Sequence, residues 1–203
     1  MASAEFVRFR FSFFEDDDSA SQRLDVRALL ALGGEERERA EEMLLDYLPD
    51  VRGVIGLGIL RSPRAEPVLA GMIETERGSE PRFALVELAK ALWQIRPDAR
   101  WLDAVTEALA SAGNPWERLH AAEALYAFRD PAAVPALAKA LDDPEALVRH
   151  HAARALLAIH GLSRLPSDPR HMVYRVTSGD AGRREGGKQD IRAAIARRQI
   201  EVC

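Results

Sequence analysis

Few side chains in this 203-residue sequence are equipped for chemistry. The candidates are His120, the adjacent pair His150 and His151, and Glu87, which could begin a metal centre. Ligation needs three or four convergent donors, and histidines and a glutamate on separate segments fall short of that. The stretch Gly53-Val54-Ile55-Gly56-Leu57-Gly58 superficially suggests a phosphate-cradling loop. It lacks the Lys-Ser/Thr of a P-loop and does not stand between a strand and a helix, as a dinucleotide motif must. No Ser-His-Asp or Cys-His set can be assembled, since Cys203 is terminal and the serines mostly fall in loops. A lone cysteine forbids an internal disulfide, and no Cys/His cluster has zinc spacing. Neither catalysis nor a metal or cofactor is expected.

Hydrophobic residues at 47% and charged residues at 30% describe a globular protein rather than a disordered one. Aromatics are only 6%, while Ala and Leu dominate the middle of the chain, which favours helices. The net charge of −4 disfavours general nucleic-acid binding. Arg8 and Arg10 interrupt what would be the apolar core of a signal peptide. No run approaches the roughly 18 to 20 apolar residues of a membrane span. The expected location is the cytoplasm.

The elements that would position His120 and His151 come from an internal repeat. Residues Asp130 to Gly161 contain two helical segments divided by Asp142-Asp143-Pro144. Asp130 can cap the first, with Pro131 in its first turn; Asp143 can cap the second, with Pro144 at its first position. Gly161 suits the end of the hairpin. With Leu156 as a marker, the counterparts upstream are Leu125, Leu92 and Ile59. Three residues before each stand Ala153, Ala122, Ala89 and Gly56, and one before stand Ala155, Ala124, Ala91 and Gly58. Seven before stand Arg149, Arg118, Leu85 and Arg52. The glycines of the 53–58 stretch thus fall in small-residue columns, and packing explains them better than phosphate binding. Four hairpins follow, at 36–61, 62–96, 97–129 and 130–161, each too small to bury its apolar stripe alone.

The unit at 130–161 resembles a HEAT repeat, especially the bacterial, phycobilisome-lyase-like type with its D-P-x-x-V-P-x-L…V-R-x-x-A-A-x-A-L pattern. The resemblance weakens towards residue 36 and does not touch the two ends. It implies an α-solenoid in which the small columns let neighbouring hairpins pack closely. It also implies that each column arginine bonds a carboxylate or backbone group in the adjacent unit, with a gap at Leu85. A HEAT-type iron enzyme, deoxyhypusine hydroxylase, carries His-Glu pairs in its second helices, but here His120 and His151 are each followed by Ala. HEAT-like DNA glycosylases need a basic groove, whereas residues 21–163 hold 17 Lys and Arg against 22 Asp and Glu.

The ends read differently. Residues 5–14 alternate apolar and polar, the signal of a strand, and the acidic run Glu15 to Asp18 breaks it. Residues 22–32 read as a helix. Residues 171–177 read as a second strand, followed by a Gly-rich polar loop and a final helix at 191–200. The expected organisation is an N-terminal strand and acidic loop (1–20), a HEAT-like array (21–163) and a basic C-terminal segment (164–203). That segment carries 9 basic and 5 acidic residues and is the one place where RNA contact is expected, if anywhere. The fold class is all-α, an α-solenoid of four to five hairpins with short terminal strands.

Second helices of such repeats line the concave side, and their remaining positions form three rows. These are Val54, Glu87, His120 and His151; then Leu57, Lys90, Glu123 and Arg154; then Leu60, Trp93, Tyr126 and Leu157. Aromatic anchors among mixed charges are what interface centres favour. The expected partner-binding residues are Glu87, Lys90, Trp93, His120, Glu123, Tyr126, His151 and Arg154. The role they suggest is a non-catalytic adaptor or regulator that binds a protein. Three other readings remain: an immunity-type protein whose acidic scaffold suits a basic toxin, a chromophore-lyase accessory protein and, last, a metal-dependent HEAT-like enzyme built on Glu87, His120, His150 and His151.

Overall fold

Turn chemistry sets the helix boundaries. In the computed structural model, which describes residues 2–15, 24–77, 82–162 and 171–202, Asp50 accepts from the Arg52 N–H and opens α4. Asn114 accepts from the Trp116 N–H, with Pro115 at the first helical position of α8. Asp130 accepts from the Ala132 N–H ahead of a short 3₁₀ turn. Each satisfies one of the donors that a helix start leaves without a partner. Arg61 (φ 51°), Arg129 (φ 53°) and Gly161 (φ 71°) end second helices in the left-handed conformation. Asp143 departs from expectation. Its carboxylate accepts from the Glu145 N–H but is also held by Arg118, and α10 starts at Ala146 rather than beside Pro144.

Twelve α-helices and no strand occur among the described residues. They are α1 (Ala4–Arg10), α2 (Val26–Ala31), α3 (Gly34–Asp46), α4 (Val51–Leu60), α5 (Glu66–Glu76) and α6 (Phe83–Ile95). There follow α7 (Ala99–Ser111), α8 (Pro115–Phe128), α9 (Val134–Ala140), α10 (Ala146–Ile159), α11 (Met172–Arg175) and α12 (Ala181–Val202). Helices α3 to α10 fall in order within the four expected hairpins, with α3 packed on α4 and α9 on α10. The chain divides into two compact units, and α6 and α7 each contribute to both.

The first unit comprises Met1–Ser79 and Glu87–Trp101. The strand expected at 5–14 is instead α1 continued by a π-helical turn, Phe11–Glu15. The run contains two patterns, and the helical one wins: Phe6, Phe9 and Phe13, spaced three and four apart, are all buried, while Val7 and Phe11 are exposed. Their rings meet at 6.1 and 6.0 Å, and Ser3 caps the start while bonding Glu36 of α3. The rest of the acidic run, 16–18, lies outside the described residues, as do 22 and 23 of the helix expected at 22–32. The glycines of 53–58 lie within α4. A Cβ on Gly58 would stand 2.7 Å from the Ala91 Cα of α6, and one on Gly56 would stand 2.8 Å from a Leu44 methyl. Close helix approach accounts for both.

The second unit comprises Glu80–Val86 and Leu102–Cys203. Here α8 packs on α10, α9 on α10, and α10 on α11 and α12. The strand expected at 171–177 is α11, capped by His171. The expected Gly-rich loop is the first half of α12. Gly186 and Gly187 let α12 close on α11: a Cβ on Gly187 would lie 2.9 Å from the Arg175 Cβ and 3.0 Å from the Val176 nitrogen.

The arginine column fastens this unit. Arg118 donates from Nη1 to the carbonyls of Ala112 and Gly113 in its own hairpin loop, and from Nε and Nη2 to Asp143 of the next hairpin. Arg149 repeats the arrangement, holding the carbonyls of Asp143 and Pro144 and reaching Val176 at 2.7 Å. Arg184 then holds the carbonyls of Ser178 and Gly179, six and five residues before it, as its predecessors do. Helices α11 and α12 are therefore a fifth hairpin. Lys188 and Asp190 stand where the small columns would fall, which hid it in the sequence.

Candidate functional site

Residues four, three and three apart on a helix share one face, and the exposed face of α8 carries Trp116, His120, Glu123 and Tyr126 in that spacing. The neighbouring face of α10 carries Leu147, His151 and Arg154. Both helices belong to the second unit, and their inner faces are fixed by fully buried Ala121, Ala122, Leu125, Ala152 and Ala153.

Glu123 links the two helices. One carboxylate oxygen lies 3.3 Å from His151 Nδ1 and the other 4.0 Å from His120 Nδ1. The His120 ring in turn stacks on Phe83 at the start of α6, with centroids 4.6 Å apart and planes 16° apart. His150 meets His151 edge-on at 5.3 Å and lies 5.9 Å from the Tyr174 ring of α11. Burial pushes the His151 imidazole below its ordinary range; Glu123 opposes this and Arg154 adds to it. Burial does the same to His150, aided by His151 and Arg154 and opposed by the backbone at Val173. The two imidazoles are thus held towards the neutral form.

Towards the C-terminal ends of these helices two guanidinium groups share one aromatic ring. Arg154 lies 5.0 Å and Arg129 5.7 Å from the Tyr126 centroid, within cation–π range. Arg154 Nε is shut away from solvent and has no acceptor. Such a donor costs about 1–3 kcal/mol.

Towards the N-terminal ends stands an apolar row. Phe83, Trp116 and Leu147 each sit nine residues before their marker, and they are 45%, 67% and 52% exposed. A recess of about 120 Å³ is lined by Pro115, Trp116, Leu119, Glu145, Leu147 and Val148. Sequence reasoning missed this row because it followed only the columns from seven before the marker onward. Three large apolar residues at one offset were the available signal.

Of the expected site residues, the structure brings His120, Glu123, Tyr126, His151 and Arg154 onto one face of the second unit. Glu87, Lys90 and Trp93 belong to the first. There Glu87 is 4% exposed and takes an ion pair from Lys90 at 2.7 Å, and Trp93 is half-buried. Val54, Leu57 and Leu60, which share these rows, are buried. Among the described residues no group of three or more His, Cys, Asp or Glu is placed to hold a metal ion. None of their helices is long and apolar enough to cross a membrane.

Hairpins joined by an arginine column and small-residue seams define a helical-repeat protein. Residues 85–157 match the family model for HEAT repeats, a span that runs from α6 to α10 and contains the whole α8–α10 face. The chain therefore contains HEAT repeats over residues 85–157. The match is to HEAT repeats at large and does not single out the phycobilisome-lyase-like type. A comparison with curated proteins gives no match.

Proposed function

We propose that this protein is a cytoplasmic scaffold or regulator that binds a protein partner through the second helices of its HEAT hairpins. The observation that carries the reading is the partly exposed face of α8 and α10, where aromatic, imidazole and guanidinium groups converge outside the fully buried core. Large aromatic and arginine side chains of this kind supply most of the binding energy of protein interfaces. Nothing in this role requires catalysis.

The basic C-terminal segment is the weaker candidate for a contact surface. Arg175 pairs with Asp190, Lys188 with Asp142 and Glu185, and Arg192 with Glu185, while Arg184 holds two carbonyls. Much of its charge is engaged within the chain rather than offered to phosphates.

The test is affinity capture from the source organism with quantitative mass spectrometry, comparing wild type with the Trp116→Ala/Tyr126→Ala double variant. A protein retained by wild type and lost from the folded variant is the expected result. Equal retention by both would remove this face from consideration.

A further inference from the structure

Two unmet needs coincide on the α8–α10 face, an apolar recess and a pair of guanidinium groups. Trp116 and Leu147 flank an open apolar recess. Arg129 and Arg154 lie on Tyr126, and neither forms an ion pair among the described residues. The carboxylate of Glu123, between Trp116 and Tyr126 on this face of α8, is already shared between His120 and His151. That of Asp130, next to Arg129 in the chain, caps the following turn. The other acidic group on this face, Glu145, stands at the recess end of α10, nine residues from Arg154 or roughly 13 Å along the helix. The face is therefore polar along its length, with grease and one carboxylate at one end and two unanswered cations at the other.

We propose that this face receives an acidic amphipathic segment of a protein partner, its apolar side chain in the recess between Trp116 and Leu147 and its carboxylate on Arg154 and Arg129. This rests on the partner-binding reading given above and specifies the partner's chemistry. Leu147 and Arg154 are seven residues apart on α10, roughly 10 Å. A partner helix spans that distance with an apolar residue and an Asp or Glu seven positions apart; an extended segment does so with three. Glu145 at the recess end sets the direction, because it repels a partner carboxylate docked the wrong way round. Nucleic acid fits less well, since its binding depends on neutralising many phosphates and two cations beside an apolar recess cannot do so. The array's net negative charge would favour a basic partner, but local groups decide what docks here.

The experiment is selection of random peptides, about five helical turns long, displayed on phage against the full chain. The best binder is then measured by fluorescence anisotropy. Enriched peptides are expected to carry Asp or Glu at one of the two spacings from Leu, Phe or Trp. Arg154→Gln should weaken binding about tenfold, and Arg154→Lys should restore part of it. Replacing the peptide's carboxylate by an amide should cause a similar loss and abolish the further effect of Arg154→Gln. Melting curves identify any variant that fails to fold, in which case Trp116→Phe and Arg154→Lys carry the comparison. Peptides rich in Lys and Arg that are lost with Trp116→Ala would overturn the acidic assignment while leaving the face a binding surface. Peptides indifferent to both Trp116→Ala and Arg154→Gln would overturn the site as well. A single-stranded RNA of about 20 nucleotides bound more tightly than any peptide, and weakened by Arg154→Gln, would overturn the choice of a protein partner.

Discussion

Leu57 and Arg154 occupy the same place in two hairpins of one repeat, and they do opposite things. On α4 the three row positions are Val54, Leu57 and Leu60, all buried. On α8 and α10 the same offsets bring His120, Glu123, Tyr126, His151 and Arg154 together at the surface. The small columns behind them are alike, because every hairpin needs close packing to its neighbour. A repeat thus fixes where a side chain points in its own hairpin. Whether that direction meets core or solvent is decided by what the rest of the chain lays against it. In the first unit α2 packs against α4.

The sharpest way to break this contrast is truncation at the shared position. Leu57→Ala should cost about 2–5 kcal/mol, the range for a buried leucine, while Glu123→Ala should stay within about 0.5 kcal/mol, as exposed sites do. Urea unfolding of both variants measures the difference, and similar losses would mean that the two rows are not distinct. Next in size is Arg149, only 7% exposed. Arg149→Leu leaves the carbonyls of Val176, Asp143 and Pro144 without their donor and should cost about 3 kcal/mol, loosening α11 and α12 first. Hydrogen exchange along α12 would register that loosening. An unchanged exchange pattern would show that the fifth hairpin is held by other contacts.

The smallest effect is that of pH. His150 and His151 have folded-state affinities for protons below the ordinary value of 6.5. As pH falls through that value the unfolded chain takes up protons before the folded one does. Stability is therefore full above about pH 6.5, declines below it, and levels off once the folded imidazoles also protonate. A His150→Gln/His151→Gln variant should show a flatter profile of urea midpoint against pH. An identical profile would mean that the pair does not set it.

The middle of the chain was legible because its signals agree. Asp130 with Pro131, Asn114 with Pro115, and the Ala columns all mark the same boundaries, so the four hairpins fall where the spacing put them. The ends were illegible for separate reasons. Residues 6–13 satisfy both a two-residue and a three-to-four-residue period, and only packing chose between Phe6-Phe9-Phe13 and the alternation. Gly186 and Gly187 argued against a helix, because the benefit of their missing side chains appears only once α11 lies alongside. The site was half legible. Fixed offsets found His120, Glu123, Tyr126, His151 and Arg154. The burial of Glu87 and the exposure of Trp116 and Leu147 depend on neighbours that no offset describes.

The arginine joints also say how such a chain can change its length. Arg118, Arg149 and Arg184 each grip their own loop, and the first two also grip the hairpin that follows. A segment cut at the same point in two hairpins therefore carries one complete half of each joint. Copying or deleting it regenerates the missing half at the new seam. Growth by whole modules between Arg118 and Arg184 leaves an arginine at each seam, gripping the next hairpin through a carboxylate or a backbone carbonyl. The face can therefore be lengthened or shortened while its joints persist.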